Sequence, residues 1–180
     1  MIDELVDFPA EDFLCKAVDI WKNQWFLLAS GDYAEGDFNC MTVAWGSFGY
    51  MWNMPFVQVV VRPTRYTFAF SEKYPSFSLC AFDKKYKDAL NYLGSVSGRD
   101  EDKISKSGLT PVAAKNIQAP VFKEAELILE CNRVYWDDFK PANFIKGDIH
   151  NHYPKKDYHR IYFGEIIRVY GAKRYLAEEI

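Results

Sequence analysis

The 180 residues contain no Cys-x-x-Cys and no histidine pair at zinc-ligand spacing beside a cysteine. Cys15, Cys40, Cys80 and Cys131 are widely and irregularly spaced, which argues against a dithiol redox couple and a zinc ribbon and leaves free buried thiols as the expectation. A basic excess is also lacking: 22 Lys and Arg stand against 25 Asp and Glu, and the pairs Lys84-Lys85 and Lys155-Lys156 are too short to offset a formal charge of −3. Polyanionic partners require a sustained positive surface, so neither nucleic acid nor an acidic lipid surface is an expected partner. No apolar run approaches the ~18 residues a membrane helix needs. The start Met1-Ile-Asp-Glu-Leu-Val-Asp7 is acidic, with no basic stretch ahead of an apolar one. Export and membrane insertion are therefore not expected, and the cytoplasm is the default location. No Gly-x-Gly-x-x-Gly follows a strand pattern, which removes a Rossmann site for a dinucleotide.

Histidine is scarce, with His150, His152 and His159 the complete set. In Asp148-Ile-His-Asn-His152 a strand would aim both histidines to one side, yet no third ligand is in view, so no metal site is expected. His152 or His159 is better suited to donating a hydrogen bond to a substrate at a pocket mouth.

Aromatic residues are plentiful instead: 12 Tyr, 14 Phe and 5 Trp make up 17% of the chain, which suits a β-rich core or a stacking platform, core filling being the commoner fate. With 49% hydrophobic residues, the length fits one globular domain over residues 1–180. Strand patterns recur at Trp25–Ala29, Met41–Trp45, Phe56–Val61, Ser76–Phe82, Leu127–Trp136 and Tyr158–Tyr170, and they predict a mainly β, antiparallel fold. Phe56–Val61 is almost wholly apolar, as expected of a strand covered on both faces in a closed barrel or at a dimer contact. Short helices are predicted over Tyr66–Glu72 with Thr64 as cap, over Lys85–Leu93 with Asp83 as cap and Gly94 as terminator, and after the polar Ser95–Ser107 stretch, where Ser97 or Asp100 would cap. Residues 137–154 read as a long connection, and no internal repeat is present.

Two stretches carry chemistry. Asn39-Cys-Met-Thr-Val-Ala-Trp-Gly46 is a half-polar strand running into a glycine-rich connection, and Arg62-Pro-Thr-Arg65-Tyr66-Thr67 places two guanidinium groups three residues apart around a rigid proline, with a hydroxyl nearby. Arg62 and Arg65 can converge on one dianion with Thr67 adding a donor, although an arginine pair alone fits solvated surface ion pairs equally well. Met41, Thr42, Val43 and Ala44 can present backbone N–H groups, and Thr42 its hydroxyl, to the polar edge of a flat heterocycle, or simply form a barrel strand. Asn39 can cap a turn as readily as touch a ligand. Ser97, Gly98, Arg99 and Lys103 can complete an anion cradle or form an ordinary solvated loop. Trp45, Trp52 and Tyr66 are candidates for shaping the ring side of such a pocket, against the simpler role of core packing.

Taken together, Asn39-x-Met41-Thr42-x-x-Trp45-Gly46, Arg62-Pro-x-Arg65-Tyr66-Thr67, Ser97-Gly98-Arg99-Asp100-x-Asp102-Lys103 and the late Tyr158-His159-Arg160 with Gly164-Glu165-Ile166 resemble the flavin reductase-like, FMN-binding split-barrel proteins, a group that includes flavoredoxin. The resemblance runs in order from about Trp25 to Val169. It implies a six-stranded Greek-key barrel with added helices, a homodimer, and one FMN near each subunit interface, held by Asn39, Met41 to Trp45, Arg62, Arg65, Tyr66, Thr67, Ser97, Gly98, Arg99 and Lys103. It further implies that NADH or NADPH delivers hydride to the flavin, which passes electrons to an acceptor, with no protein nucleophile. A flavoredoxin-type electron carrier reduced by a partner protein, and a barrel that binds another planar ligand without turnover, are the competing expectations.

Overall fold

The alternating segments pair into one curled antiparallel sheet in the computed structural model, which describes residues 5–177. Residues 1–4, the start of the acidic N-terminal stretch, and residues 178–180 lie outside that range. The strands are β1 (Val6–Phe8), β2 (Phe26–Asp32), β3 (Asp37–Val43), β4 (Gly46–Met51), β5 (Met54–Val61), β6 (Ser76–Ala81), β9 (Leu127–Asp138) and β10 (Arg160–Gly171), with the small hairpin β7 (Pro111–Val112) and β8 (Val121–Phe122) beside them. The helices are α1 (Ala17–Asp19), which continues into a π-helical turn at Ile20–Gln24, α2 (Tyr66–Lys73), α3 (Lys87–Ser95) and α4 (Lys103–Lys106).

The sheet runs β3-β2-β6-β9-β10-β5-β4, with β1 added to β10. The meander β6-β9-β10 followed by β5 at its far side is a Greek key, because β5 precedes all three in sequence yet pairs with the last. Register shifts at Phe163/Gly164 and Ile166/Arg168 let the two 12-residue strands bend together. Edge strand β3 approaches β5, the neighbour of the other edge strand β4, with no ladder between them among the described residues, so the barrel stays split.

All six expected strands form, and two more join them. β1 is one addition; β4 is the other, replacing the expected glycine-rich connection. Its glycines have a steric reason: a Cβ on Gly46 would sit 2.4 Å from the Trp21 indole and 2.5 Å from the Gln58 carbonyl oxygen, and one on Gly49 would sit 2.8 Å from the Phe56 ring. Trp52 and Asn53, at φ 56° and 58°, make the two-residue turn that returns β4 onto β5.

Alternation sorts side chains between two cores. Phe26, Leu28, Val57, Val59, Val61, Leu79 and Leu129 fill the barrel, while Leu27, Ala29, Cys80 and Ile128 pack outward against Leu90 and Leu93 of α3 and Phe122 of β8. Because both faces of β2 and β6 are covered, these strands read as apolar runs. Each fully buried large side chain contributes about 1.5–3 kcal/mol. Cys40, Cys80 and Cys131 are free and buried, whereas Cys15 is only half-buried, and burial pushes the Cys40 and Cys80 thiols up to about 12. Buried Glu130 accepts from the amides of Lys115 and Asn116 and from the Tyr170 hydroxyl, which ties the 113–119 loop to β9 and β10.

The helix starts differ from expectation. Arg65, not Thr64, is the N-cap residue of α2 and makes no side-chain cap bond. Asp83 accepts from the Lys85 amide, as a cap should, but it opens a 3-10 turn at Lys84–Tyr86 ahead of α3, and Gly94 lies inside the last turn of α3. Asp102 caps α4 through the Ser105 amide, so this one-turn helix begins at Lys103. Among the described residues no helix is long and apolar enough to cross a membrane.

At Gly164 an added Cβ would meet Phe77 Cζ at 2.5 Å and Cys131 Cβ at 3.0 Å, inside the barrel. Gly164→Ala is expected to destabilise the protein by about 1–3 kcal/mol through overpacking, read as a lower urea midpoint. Gly147→Ala, with open space around it, is expected to stay within roughly 0.5 kcal/mol.

Candidate functional site

The ladder of β3 to β2 ends at Val43, and that of β4 to β5 begins at Gly46. Ala44 and Trp45 cross the gap, and their amides have no hydrogen-bond partner among the described residues. Here a cleft of about 190 Å³ opens, with Met41 to Trp45 along one side and Val60, Arg62, Arg65 and His159 along the other. The floor is rigid. Met41 and Val43 point into the barrel, and Thr42 points the opposite way, donating its hydroxyl to the Leu90 carbonyl at 2.5 Å. That bond seats β3 on α3, where Gly94 leaves room for the Thr42 side chain.

The two arginines differ in commitment. Arg62 donates from Nη1 to both Asp157 oxygens, at 2.9 Å each, and from Nη2 to the His152 carbonyl at 2.7 Å, and lies 5.0 Å from the Tyr153 ring centre. The Asp157 carboxyl is held below the usual carboxylate range by that guanidinium. Arg65 donates one bond to the Gly94 carbonyl and has no ion pair among the described residues. Arg99 is similar, bonded to the Thr64 carbonyl and resting 4.9 Å from the Tyr66 ring centre.

A second recess of about 330 Å³ takes Asn39, Tyr66, Gly98 and Lys103, with Asp37, Glu101 and Asp102 on its rim. Asn39 is buried and donates to the Thr67 hydroxyl oxygen at 2.8 Å; Gly98 packs against it so closely that a Cβ there would meet Asn39 Oδ1 at 2.6 Å and displace that side chain. Lys103 is buried with its ammonium on the Leu93 and Val96 carbonyls at the end of α3, and burial, aided by Arg65, lowers its pKa. Ser97 accepts from the Arg99 amide.

The candidates therefore separate. The structure brings Met41 to Trp45, Arg62, Arg65 and His159 to one cleft, and Asn39, Tyr66, Gly98 and Lys103 to the recess. Ser97 and Arg99 lie on the loop that carries Gly98. Thr67 is buried beneath Asn39, away from both openings. Trp52 stands at the β4–β5 turn against Tyr135 and Phe163. Trp45 is 46% exposed and meets the rings of His152 and His159 at 5.5 and 5.2 Å. His150 and His152 sit in a 3-10 segment, Gly147–His152, where alternate residues do not share a side, and His150 Nδ1 is bonded to the Tyr158 hydroxyl.

Three residues escaped the sequence reading. Val60 belongs to a strand that reads as pure core. Tyr153 and Asp157 fall in or beside what reads as a connection, and no local pattern links Asp157 to an arginine 95 residues away.

A family model described as "Flavin reductase like domain" matches residues 23–178. The chain belongs to the flavin reductase-like domain family. Its split-barrel fold recurs in the solved structure of an FMN-binding domain of a flavin reductases-like enzyme from Shewanella baltica OS155, at TM-score 0.69 and 17% identity, covering 96% of this chain and 79% of that one. Flavoredoxin from Methanosarcina acetivorans is similar at TM-score 0.64 and 27% identity, over 91% of this chain and 76% of that one. Flavoredoxin of Desulfovibrio vulgaris (Miyazaki F) gives TM-score 0.63 and 23% identity, over 81% and 68%. Among curated proteins no significant match is found.

Within this flavin reductase-like domain, burial and then the neighbouring Arg62 lower the His159 pKa to about 4, Asp157 opposing only in part. The imidazole is therefore neutral at pH 7. Between its ordinary value of 6.5 and about 4 the unfolded chain binds the proton and the folded one does not, so folding stability rises with pH across that window. Urea midpoints are expected to fall as pH is lowered from 6.5 to 4.5, and to fall less in His159→Gln. Equal slopes in the two proteins would contradict the assignment.

Proposed function

We propose that this protein is an FMN-binding oxidoreductase, an NAD(P)H-dependent flavin reductase that takes hydride from a nicotinamide and passes electrons onward. The observation that carries the reading is the pair of amides at Ala44 and Trp45, without partners among the described residues, set at the end of a strand in an open cleft that Arg65, with no ion pair among those residues, also lines. That donor set suits a flat heterocycle with acceptor atoms along one edge and a phosphate tail. Bound FMN supplies the hydride chemistry at its ring.

The chain's own residues bind and orient. The Ala44 and Trp45 amides would donate to the ring edge, with the exposed Trp45 indole beside it at the cleft. Arg65, assisted by Arg99, holds the phosphate, since Arg62 is already neutralised by Asp157. Ser97 and Gly98 shape the loop at the phosphate end, while Asn39, Tyr66 and Lys103 support the cradle from the recess and buried Thr67 holds the Asn39 side chain. His152 is on the substrate side, and His159, which lines the cleft with Ala44 and Trp45, stands where it can meet the ring or the substrate. A homodimer is part of the proposal: Trp52 at the β4–β5 turn and Tyr135 of β9, both about half exposed, cluster with Phe163 and Phe56 in an aromatic patch on the outer face of the sheet, of the kind that a second subunit covers.

A second reading is favoured by the 27% identity to the Methanosarcina acetivorans flavoredoxin. On that reading the protein is an electron carrier, and a partner protein reduces the bound flavin.

The test is an anaerobic visible spectrum of the purified protein with FMN, taken before and after NADH and then NADPH. Bleaching is expected with one of the two. A bound flavin that stays oxidised with both would favour the carrier, and absence of any bound-flavin spectrum would overturn both readings. Arg65→Ala is expected to weaken FMN binding by about tenfold or more, since a charge-assisted bond to phosphate contributes roughly 1.5–3 kcal/mol. Unchanged affinity by fluorescence titration would place the phosphate elsewhere.

A further inference from the structure

Tyr153 and His159 are the most enclosed polar pair at the cleft, 4% and 8% exposed. Tyr153 Oη lies 2.8 Å from His159 Nδ1. Both rings are held in place. Tyr153 stacks on Tyr158 at 4.5 Å beneath the Arg62 guanidinium, and His159 packs against Trp45 and Phe139.

The direction of the bond follows from burial. A buried hydroxyl proton without an acceptor costs about 1–3 kcal/mol, and among the described residues His159 Nδ1 is the acceptor within reach of Tyr153 Oη. Tyr153 therefore donates and Nδ1 accepts. A neutral imidazole has a single ring proton, which then sits on Nε2. Nε2 has no partner among the described residues, and the ring lines the cleft together with Ala44 and Trp45. Burial also raises the Tyr153 pKa, which keeps the phenolic proton in place, and Arg62 opposes a second proton on the imidazole.

We infer that Tyr153 is a positioning residue that fixes His159 as an Nε2–H donor facing the cleft, so that the site accepts at that point a carbonyl oxygen or an unprotonated ring nitrogen of a planar ligand. A ligand with an N–H at that point meets a donor with a donor, and both are left unpaired. The FMN reading enters only in the choice of ligand; the tautomer is a property of the protein alone.

The experiment separates the two. Protein labelled with 15N-histidine, without ligand at pH 7, is examined by long-range 1H–15N correlation, with His159→Gln identifying the His159 signals. The expected pattern is a bare Nδ1 and a protonated Nε2, shifting towards a tautomer mixture in Tyr153→Phe that retains the wild-type circular dichroism. An Nδ1–H tautomer or an imidazolium in the wild type would overturn the inference even if Tyr153→Phe fails to fold, and so would an unchanged pattern in a folded Tyr153→Phe. FMN titration then reads the acceptor. His159→Gln, which keeps an N–H donor, is expected to hold FMN within about threefold, and His159→Leu to weaken it by about five- to tenfold. Equal affinities in the two variants would overturn the acceptor assignment. Wild-type protein that fails to bind FMN would overturn the flavin reading while the tautomer stands or falls on the NMR pattern.

Discussion

The ladder between β5 and β10 is the constraint on which the cleft depends. Its terminal pair is Val61 with Arg160, so the next residue of one strand and the preceding residue of the other, Arg62 and His159, emerge side by side. Strand side chains alternate with a period of two, so a slip of one residue would turn Val57, Val59 and Val61 out of the barrel and His159 away from the cleft. Burial of those valines thus enforces the geometry of the polar groups beyond them. The same ladder fixes the Greek key, because β10 pairs with β5 along its first half and with β1 along its second, while β9 follows it throughout.

Charge at the site is partitioned rather than pooled. Four cations stand within or beside the cleft and recess, but two have internal tasks: Arg62 holds Asp157 and the His152 carbonyl, which anchors the segment leading into β10, and Lys103 closes the carbonyl end of α3. Arg65 and Arg99 each have one carbonyl bond and no ion pair among the described residues, and these are the groups with donors left for an anion. Arg62 still matters to the cleft indirectly. Its positive charge and the burial around it keep His159 neutral, and a neutral imidazole has a defined tautomer that an imidazolium lacks.

Much of this architecture was legible from the chain. The six long strands announced themselves by apolar alternation or by apolar runs, and the motifs at 39–46, 62–67 and 97–103, with the late stretch from Tyr158 to Ile166, marked the family. β4 was not legible, because Gly46 and Gly49 read as connection residues until the Trp21 and Phe56 rings that exclude a side chain there were in place. Among the helix caps Asp83 was legible, but Thr64 gave way to Arg65, and Asp102 rather than Ser97 or Asp100 caps α4, where Lys103 turns inward to the end of α3.

By itself the sequence determined what is local and periodic: the strand faces, the mainly β class, and the residue types able to hold an anion and meet a flat ring. Tertiary structure decided which of those residues meet. Thr67 went under Asn39, Arg62 was committed to Asp157, and Tyr153 reached His159 across a segment with no regular pattern. Such pairings depend on registers and loop paths set by the whole core, and burial then decides which donors and acceptors must satisfy one another and which are left for a ligand.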